Sequence, residues 1–105
     1  MNTPSSRPPR PVLQVPLDDG LFDLDTLCRA TAVTPAWVVE RLEAGLLRAA
    51  RGEAHTQWRF DAVTLRRVRQ MRRVERDFDA VPELSALVSD LLEEIEALRA
   101  RLRQR

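Results

Sequence analysis

His55 and Cys28 are the lone histidine and the lone cysteine of this chain. With no second imidazole or thiol beside them, neither completes a nucleophile–base pair or a metal site of Cys/His spacing. Three glycines, none in a phosphate-cradling run, and carboxylate pairs on segments with helical periodicity complete a pattern that points away from an enzyme, a metal site or a cofactor. His55 reads as a solvated loop residue and Cys28, beside Leu27, as a small core residue. The chemistry left is that of surfaces. Residues 48 to 76 hold nine arginines, at 48, 51, 59, 66, 67, 69, 72, 73 and 76, against Glu53, Asp61 and Glu75, an excess of six positive charges suited to phosphates. A second constellation, Trp37, Glu40, Arg41 and Glu43, sets an indole among two carboxylates and a guanidinium, which suits a basic partner. Trp37 also has a plainer reading, as a core side chain.

Over the whole 105 residues, 17 basic side chains face 16 acidic ones for a net charge of +1, so charge distribution matters more than the total. Every basic residue is arginine, as a GC-rich genome or a demand for the planar guanidinium fork would each produce. No apolar run approaches the roughly 20 residues of a membrane span, and no signal-peptide pattern opens the chain. With a single cysteine, this composition fits a soluble protein of the reducing cytoplasm.

The elements that must position these residues follow from local signals. Five of the seven prolines fall in the first 16 residues, so residues 1–20 are expected to form a flexible arm. Leu21 to Leu24 alternates apolar and polar residues, as a short strand or a lead-in to a helix. Asp25 is the expected cap of that helix, with Leu27, Cys28 and Ala32 on its buried face. Thr34-Pro35 opens a second helix running to about Ala44, since threonine caps first-turn amides and proline lacks only an amide that would be unpaired there. Val38 and Leu42 share its inner face, and Gly45 supplies the left-handed stop. A polar bend then returns as Trp58-Arg59-Phe60. Asp61 caps a third helix whose apolar positions, Val63, Leu65, Val68, Met71, Val74 and Phe78, recur at helical spacing. Helix, turn, helix and a β-turned wing, all within residues 21–81, make a degenerate winged helix-turn-helix. The fold class is mainly α.

After Pro82, residues 82–105 are expected to form one long dimerisation helix. Leu84, Val88, Leu91, Ile95, Leu98 and Leu102 recur at steps of four and three, a coiled-coil pattern, while Leu87 and Leu92 widen the stripe so that the first half packs on the domain. Asp90, Glu93, Glu94 and Glu96 precede Arg99, Arg101, Arg103 and Arg105, complementing the helix dipole. That block order favours an antiparallel homodimer, with a solvated face on a monomer's terminal helix as the alternative.

The run from Leu24 to Leu47, then Trp58-Arg59-Phe60, an Arg-rich helix and a terminal coiled-coil helix resembles the DNA-binding domain of MerR-type regulators. The frame of that family's second helix, which typically reads Val-Ser-Pro-Arg-Thr-Leu-Arg-Tyr-Tyr-Glu-Arg-x-Gly-Leu-Leu, matches at Val33, Thr34, Pro35, Gly45, Leu46 and Leu47. Its phosphate-contacting Arg-Tyr pair falls on Val39 and Glu40, and the next tyrosine on Arg41, so the best-known DNA contact is gone. Within that superfamily the chain is most similar to the CbpM family of bacterial chaperone modulators, over about residues 21–105, through the degenerate helix-turn-helix, the aromatic wing followed by Asp61, and a motif like Arg69-Gln70-Met71-Arg72-Arg73. The resemblance implies a cytoplasmic homodimer, associated with the nucleoid only through its partner, that binds the J-domain of a DnaJ-like co-chaperone and competes with Hsp70. The other reading is a MerR-like transcription factor in which Arg48 to Arg76 contact phosphates.

Overall fold

In the computed structural model, which describes residues 20–104, helices α1 (Leu24–Thr31), α2 (Pro35–Glu43), α3 (Ala62–Phe78) and α4 (Pro82–Arg103) follow one another, with a 3-10 turn at His55–Gln57 between α2 and α3. The expected N-terminal arm, Gly20 apart, lies outside the described residues.

Three of the four helices start where a side chain satisfies a first-turn amide, whereas α4 opens at Pro82 after Val81 with no side-chain cap. Asp23, not Asp25, caps α1: its extended backbone lets Oδ1 accept from Thr26 N at 2.8 Å, whereas Asp25 sits one turn position further in and pairs with Arg29 at 3.0 Å. That backbone bond, above all, holds the Asp23 carboxyl below its ordinary pKa against the opposing effect of burial. Ala32, expected on the buried face, instead ends α1 in the left-handed region (φ 60°) and is exposed. Thr34 Oγ1 accepts from Trp37 N at 3.1 Å to open α2, and Asp61 Oδ1 accepts from Thr64 N at 2.9 Å to open α3. After α2, Gly45 takes φ +78°, the left-handed stop that the sequence indicated.

The wing is held by two isolated antiparallel bridges, Phe22 with Phe60 and Arg51 with Arg59. The first exchanges both amide bonds at 2.8 Å, so the Leu21–Leu24 segment enters as a strand-like lead-in. At the tip Gly52 has φ +97°, and a β-carbon there would lie 2.1 Å from Gln57 O, so a side chain cannot be accommodated without opening the wing. His55 is exposed but stacks on Trp58 at 4.4 Å between ring centroids.

The core is Leu27, Cys28, Val38, Leu47, Phe60, Leu65, Val68, Met71 and Ala86, drawn from all four helices and the wing. Two residues expected on the buried face of α3 are not there: Val63 is 53% exposed, on an open cleft lined with Arg66, Leu92, Glu93 and Glu96, and Phe78 is 76% exposed as the last residue of the helix. Burial also raises the pKa of the Cys28 thiol, with the Asp25 charge adding to the effect, so the thiol is neutral at ordinary pH.

Helix α4 returns along α3, but not through its leucines. Ser85, Ala86 and Ser89 form the contacting face and are 4% exposed or less. Small side chains let the two helices approach closely. Ser85 Oγ donates to Glu75 Oε2 at 2.6 Å and Ser89 Oγ to Gln70 Oε1 at 2.7 Å, so both buried hydroxyls are paired. Arg67 Nη1 reaches Asp90 at 2.6 Å and Glu93 at 3.8 Å. Leu87 and Leu92, expected to pack the first half of α4 on the domain, are 52% and 38% exposed. The first half of α4 is thus part of the body begun at residue 21, and a boundary before residue 82 separates no independent core.

Candidate protein-interaction surface

Helix α2 carries the constellation singled out by sequence, and the structure divides it between inside and outside. By 3.6-residue periodicity Ala36, Glu40 and Glu43 share the outer face, and all three are exposed. Val39 is half-buried, at the edge of that face. Arg41, expected beside the carboxylates in partner contact, is only 5% exposed and points into the fold.

What draws Arg41 inward is Glu75, on α3. Arg41 Nη2 and Nε reach Glu75 Oε1 and Oε2 at 2.6 and 3.3 Å, a two-pronged pair, while Nη1 donates to Trp37 O at 3.1 Å and to Glu40 Oε1 at 2.9 Å. The same guanidinium lies 3.8 Å from the centroid of the Trp37 ring. Glu75 also accepts from Trp37 Nε1 at 3.2 Å and from Ser85. One carboxylate therefore ties α2, α3 and α4 together, and Trp37 is half-buried with its indole N–H turned inward. Its two readings meet: the ring packs against the core and still leaves a rigid partly exposed surface next to Glu40.

Glu43 continues the outer face into a cleft of about 360 Å³ running to the wing, lined by Leu42, Glu43, Leu47, Arg48, Gly52 and Trp58. The wing tryptophan thus adds a second half-exposed aromatic near the acidic face. Sequence reasoning placed Trp58 in the wing without assigning it to this surface, although its spacing after a glycine-bearing bend was the available signal.

The arginines lie elsewhere. Arg69, Arg72, Arg73 and Arg76 line a cleft of about 290 Å³ against Ala30, Thr31 and Ala32, at the turn between α1 and α2. Arg76 is engaged by Asp77 at 3.0 Å, and among the described residues Arg69, Arg72 and Arg73 have no carboxylate within ion-pair distance. Arg67 is spent internally, on Leu46 O at 2.9 Å and the acids of α4. The residues assigned to dimerisation gather on α4: Leu84, Leu87, Leu91, Leu92, Ile95, Leu98 and Leu102 are each between 38% and 63% exposed, and Val88 is half-buried. Among the described residues no helix is long and apolar enough to cross a membrane, and no cluster of His, Cys, Asp or Glu is arranged to hold a metal ion.

Comparison with known proteins matches this sequence to a family. The model of the MerR HTH family regulatory protein matches residues 22–104, the whole of the helix-turn-helix, wing and long helix. A chaperone modulatory protein CbpM of Pseudomonas entomophila (strain L48) is 36% identical over 83 residues, covering 75% of this chain and 77% of the relative. One from Pseudomonas putida (strain W619) is 30% identical over 79 residues, with the same shares covered. No solved structure matches. The MerR-like scaffold keeps its frame while its second helix turns carboxylates outward, and with these relatives it shows that the chain belongs to the CbpM family of chaperone modulatory proteins within the MerR helix-turn-helix superfamily.

Proposed function

We propose that this protein is a non-enzymatic chaperone modulator of the bacterial cytoplasm that binds the J-domain of a DnaJ-like co-chaperone and restrains its stimulation of Hsp70. The observation that carries the reading is the outer face of α2, where exposed Glu40 and Glu43 adjoin the half-exposed Trp37 in a chain related to proteins called chaperone modulators. J-domains offer Hsp70 a basic helix, so a competitor needs carboxylates around an apolar anchor, and α2 has both. Arg41 acts behind that face, fixing Trp37 and Glu40 rather than meeting the partner. The exposed leucines of α4 fit a second copy of the chain, so the functional unit is a homodimer of bodies joined by the far part of residues 82–105.

An ATPase assay tests this. Added to Hsp70 with a purified J-domain co-chaperone, the protein should lower the stimulated rate while leaving basal Hsp70 turnover unchanged. Undiminished stimulation at saturating protein contradicts the proposal. The second reading, DNA binding, has one observation in its favour: Arg69, Arg72 and Arg73, beside the helix-turn-helix turn, have no carboxylate within ion-pair distance among the described residues. Against it, Val39, Glu40 and Glu43 stand where α2 would enter a major groove, and a carboxylate there repels phosphates.

A further inference from the structure

Arg72, Arg73 and Arg76 follow Arg69 at three, four and seven residues, the spacing that gathers side chains on one face of a helix. That face of α3 turns toward the end of α1, where the four arginines line the cleft of about 290 Å³ with Ala30, Thr31 and Ala32. Like charges at this spacing repel, so α3 is less stable for carrying them. Arg41 and Arg67, the other helical arginines withdrawn from solvent, are matched by carboxylates, Glu75 and Glu40 for the first and Asp90 for the second. In the cleft Arg76 meets its neighbour Asp77, while Arg69, Arg72 and Arg73 have neither an ion pair nor a hydrogen bond among the described residues. Arg72 is moreover half-buried, so its guanidinium gives up part of its hydration with no counter-charge in return.

The walls narrow the ligand that would supply that charge. A guanidinium offers five N–H donors in a planar fork, never loses its proton, and is best complemented by carboxylate or phosphate oxygens. Ala30 and Ala32 bring no polar side-chain atom, and Thr31 spends its hydroxyl proton on Leu27 O at 2.7 Å. No aromatic ring and no carboxylate lines the cleft, so nothing in it stacks on a base or repels an anion. Recognition is left to charged oxygens. Four forks spread over seven residues of helix, roughly 10 Å along its axis, match a chain of linked phosphates better than a single one. The volume stands at the small end of ligand sites, which run from about 300 to 1,000 Å³. A duplex would need α2 beside it, and that helix turns Glu40 and Glu43 outward.

We propose that the cleft between α3 and the end of α1 binds a short chain of linked phosphates, held by Arg69, Arg72, Arg73 and Arg76. The site lies apart from the acidic face of α2 and stands whether or not the protein engages a J-domain.

Calorimetric titration with inorganic triphosphate tests it. The full chain should bind with a Kd on the order of 10 µM at about 0.1 M salt, more weakly as salt rises. Arg69→Gln with Arg73→Gln, both at exposed positions, should weaken binding at least about tenfold. Without ligand that variant should melt no lower than the parent, because a like-charge pair has been relieved. Arg99→Gln with Arg101→Gln removes the same charge from the far end of α4 and should leave the affinity within about twofold. ATP should bind no more tightly than triphosphate, since no ring receives its base. No heat at about 1 mM triphosphate, or equal weakening by the two double variants, overturns the site. A markedly less stable Arg69→Gln, Arg73→Gln chain overturns it too, because the arginines would then serve the fold. ATP about tenfold tighter than triphosphate, or an oligonucleotide duplex that outcompetes triphosphate and is lost in the same variant, overturns the assignment to a phosphate chain and gives the cleft to nucleotide or nucleic acid.

Discussion

Replacing Glu75 with alanine leaves the Arg41 guanidinium, only 5% exposed, without its carboxylate and also strips an acceptor from Trp37 and Ser85. Loss of one member of a largely buried pair costs about 3 kcal/mol or more. Urea unfolding followed by tryptophan fluorescence should show that loss, and a variant as stable as the parent would contradict the role given to the network. Asp23 acts through pH. Its folded pKa is lowered chiefly by the Thr26 amide, so its contribution is full above the unfolded carboxyl value and is lost as pH falls through the folded one. Asp23→Asn should therefore shrink the stability difference between neutral and acid pH, read from paired unfolding curves at roughly pH 7 and pH 3. At this scale Trp37, Glu40 and Glu43 were legible in the sequence as a group. The inward turn of Arg41 was not, because its cause is a residue 34 positions away on another helix. A clue existed: Glu75 is the lone carboxylate between Asp61 and Asp77 in a run of arginines.

The elements tell a similar story about distance along the chain. Thr34, Gly45 and Asp61 mark their boundaries because a cap acts within three residues, which any sequence displays. Asp23 rather than Asp25 was missed by a two-residue shift of the same kind. The face by which α4 packs was hidden, since a stripe of leucines draws attention to itself while Ser85, Ala86 and Ser89 do not. Their spacing of one and three residues was nonetheless the signal of a close helix contact. Ser89→Leu should force α3 and α4 apart and orphan Gln70, costing about 1–3 kcal/mol and lowering the melting temperature by several degrees. Leu91→Ser, on the open face, should leave the fold of each chain intact and weaken association instead. Circular dichroism against temperature, with sedimentation, distinguishes these effects. The reverse pairing of outcomes would mean that the two faces of α4 have been exchanged.

Taken whole, the molecule is a MerR-type scaffold whose charge has been redistributed. The positive side lies on α3 at Arg69, Arg72 and Arg73, and the negative side on α2 at Glu40 and Glu43, so a duplex and a basic protein surface would be met by different faces. Duplex binding should accordingly be weak, indifferent to sequence and abolished by salt in a filter-binding titration. Glu43→Lys is the cleaner probe of the acidic face, because Glu40 is already joined to Arg41 and its reversal would disturb the core as well as the surface. The most direct measurement is calorimetric titration of the purified J-domain into the wild-type protein and the Glu43→Lys variant at physiological salt. The wild type should bind with measurable heat, and the variant should bind severalfold more weakly, mainly through slower association, while keeping its helical spectrum. No heat with the wild type, or sequence-selective nanomolar binding to duplex DNA under the same conditions, would contradict the account and give the scaffold back to DNA.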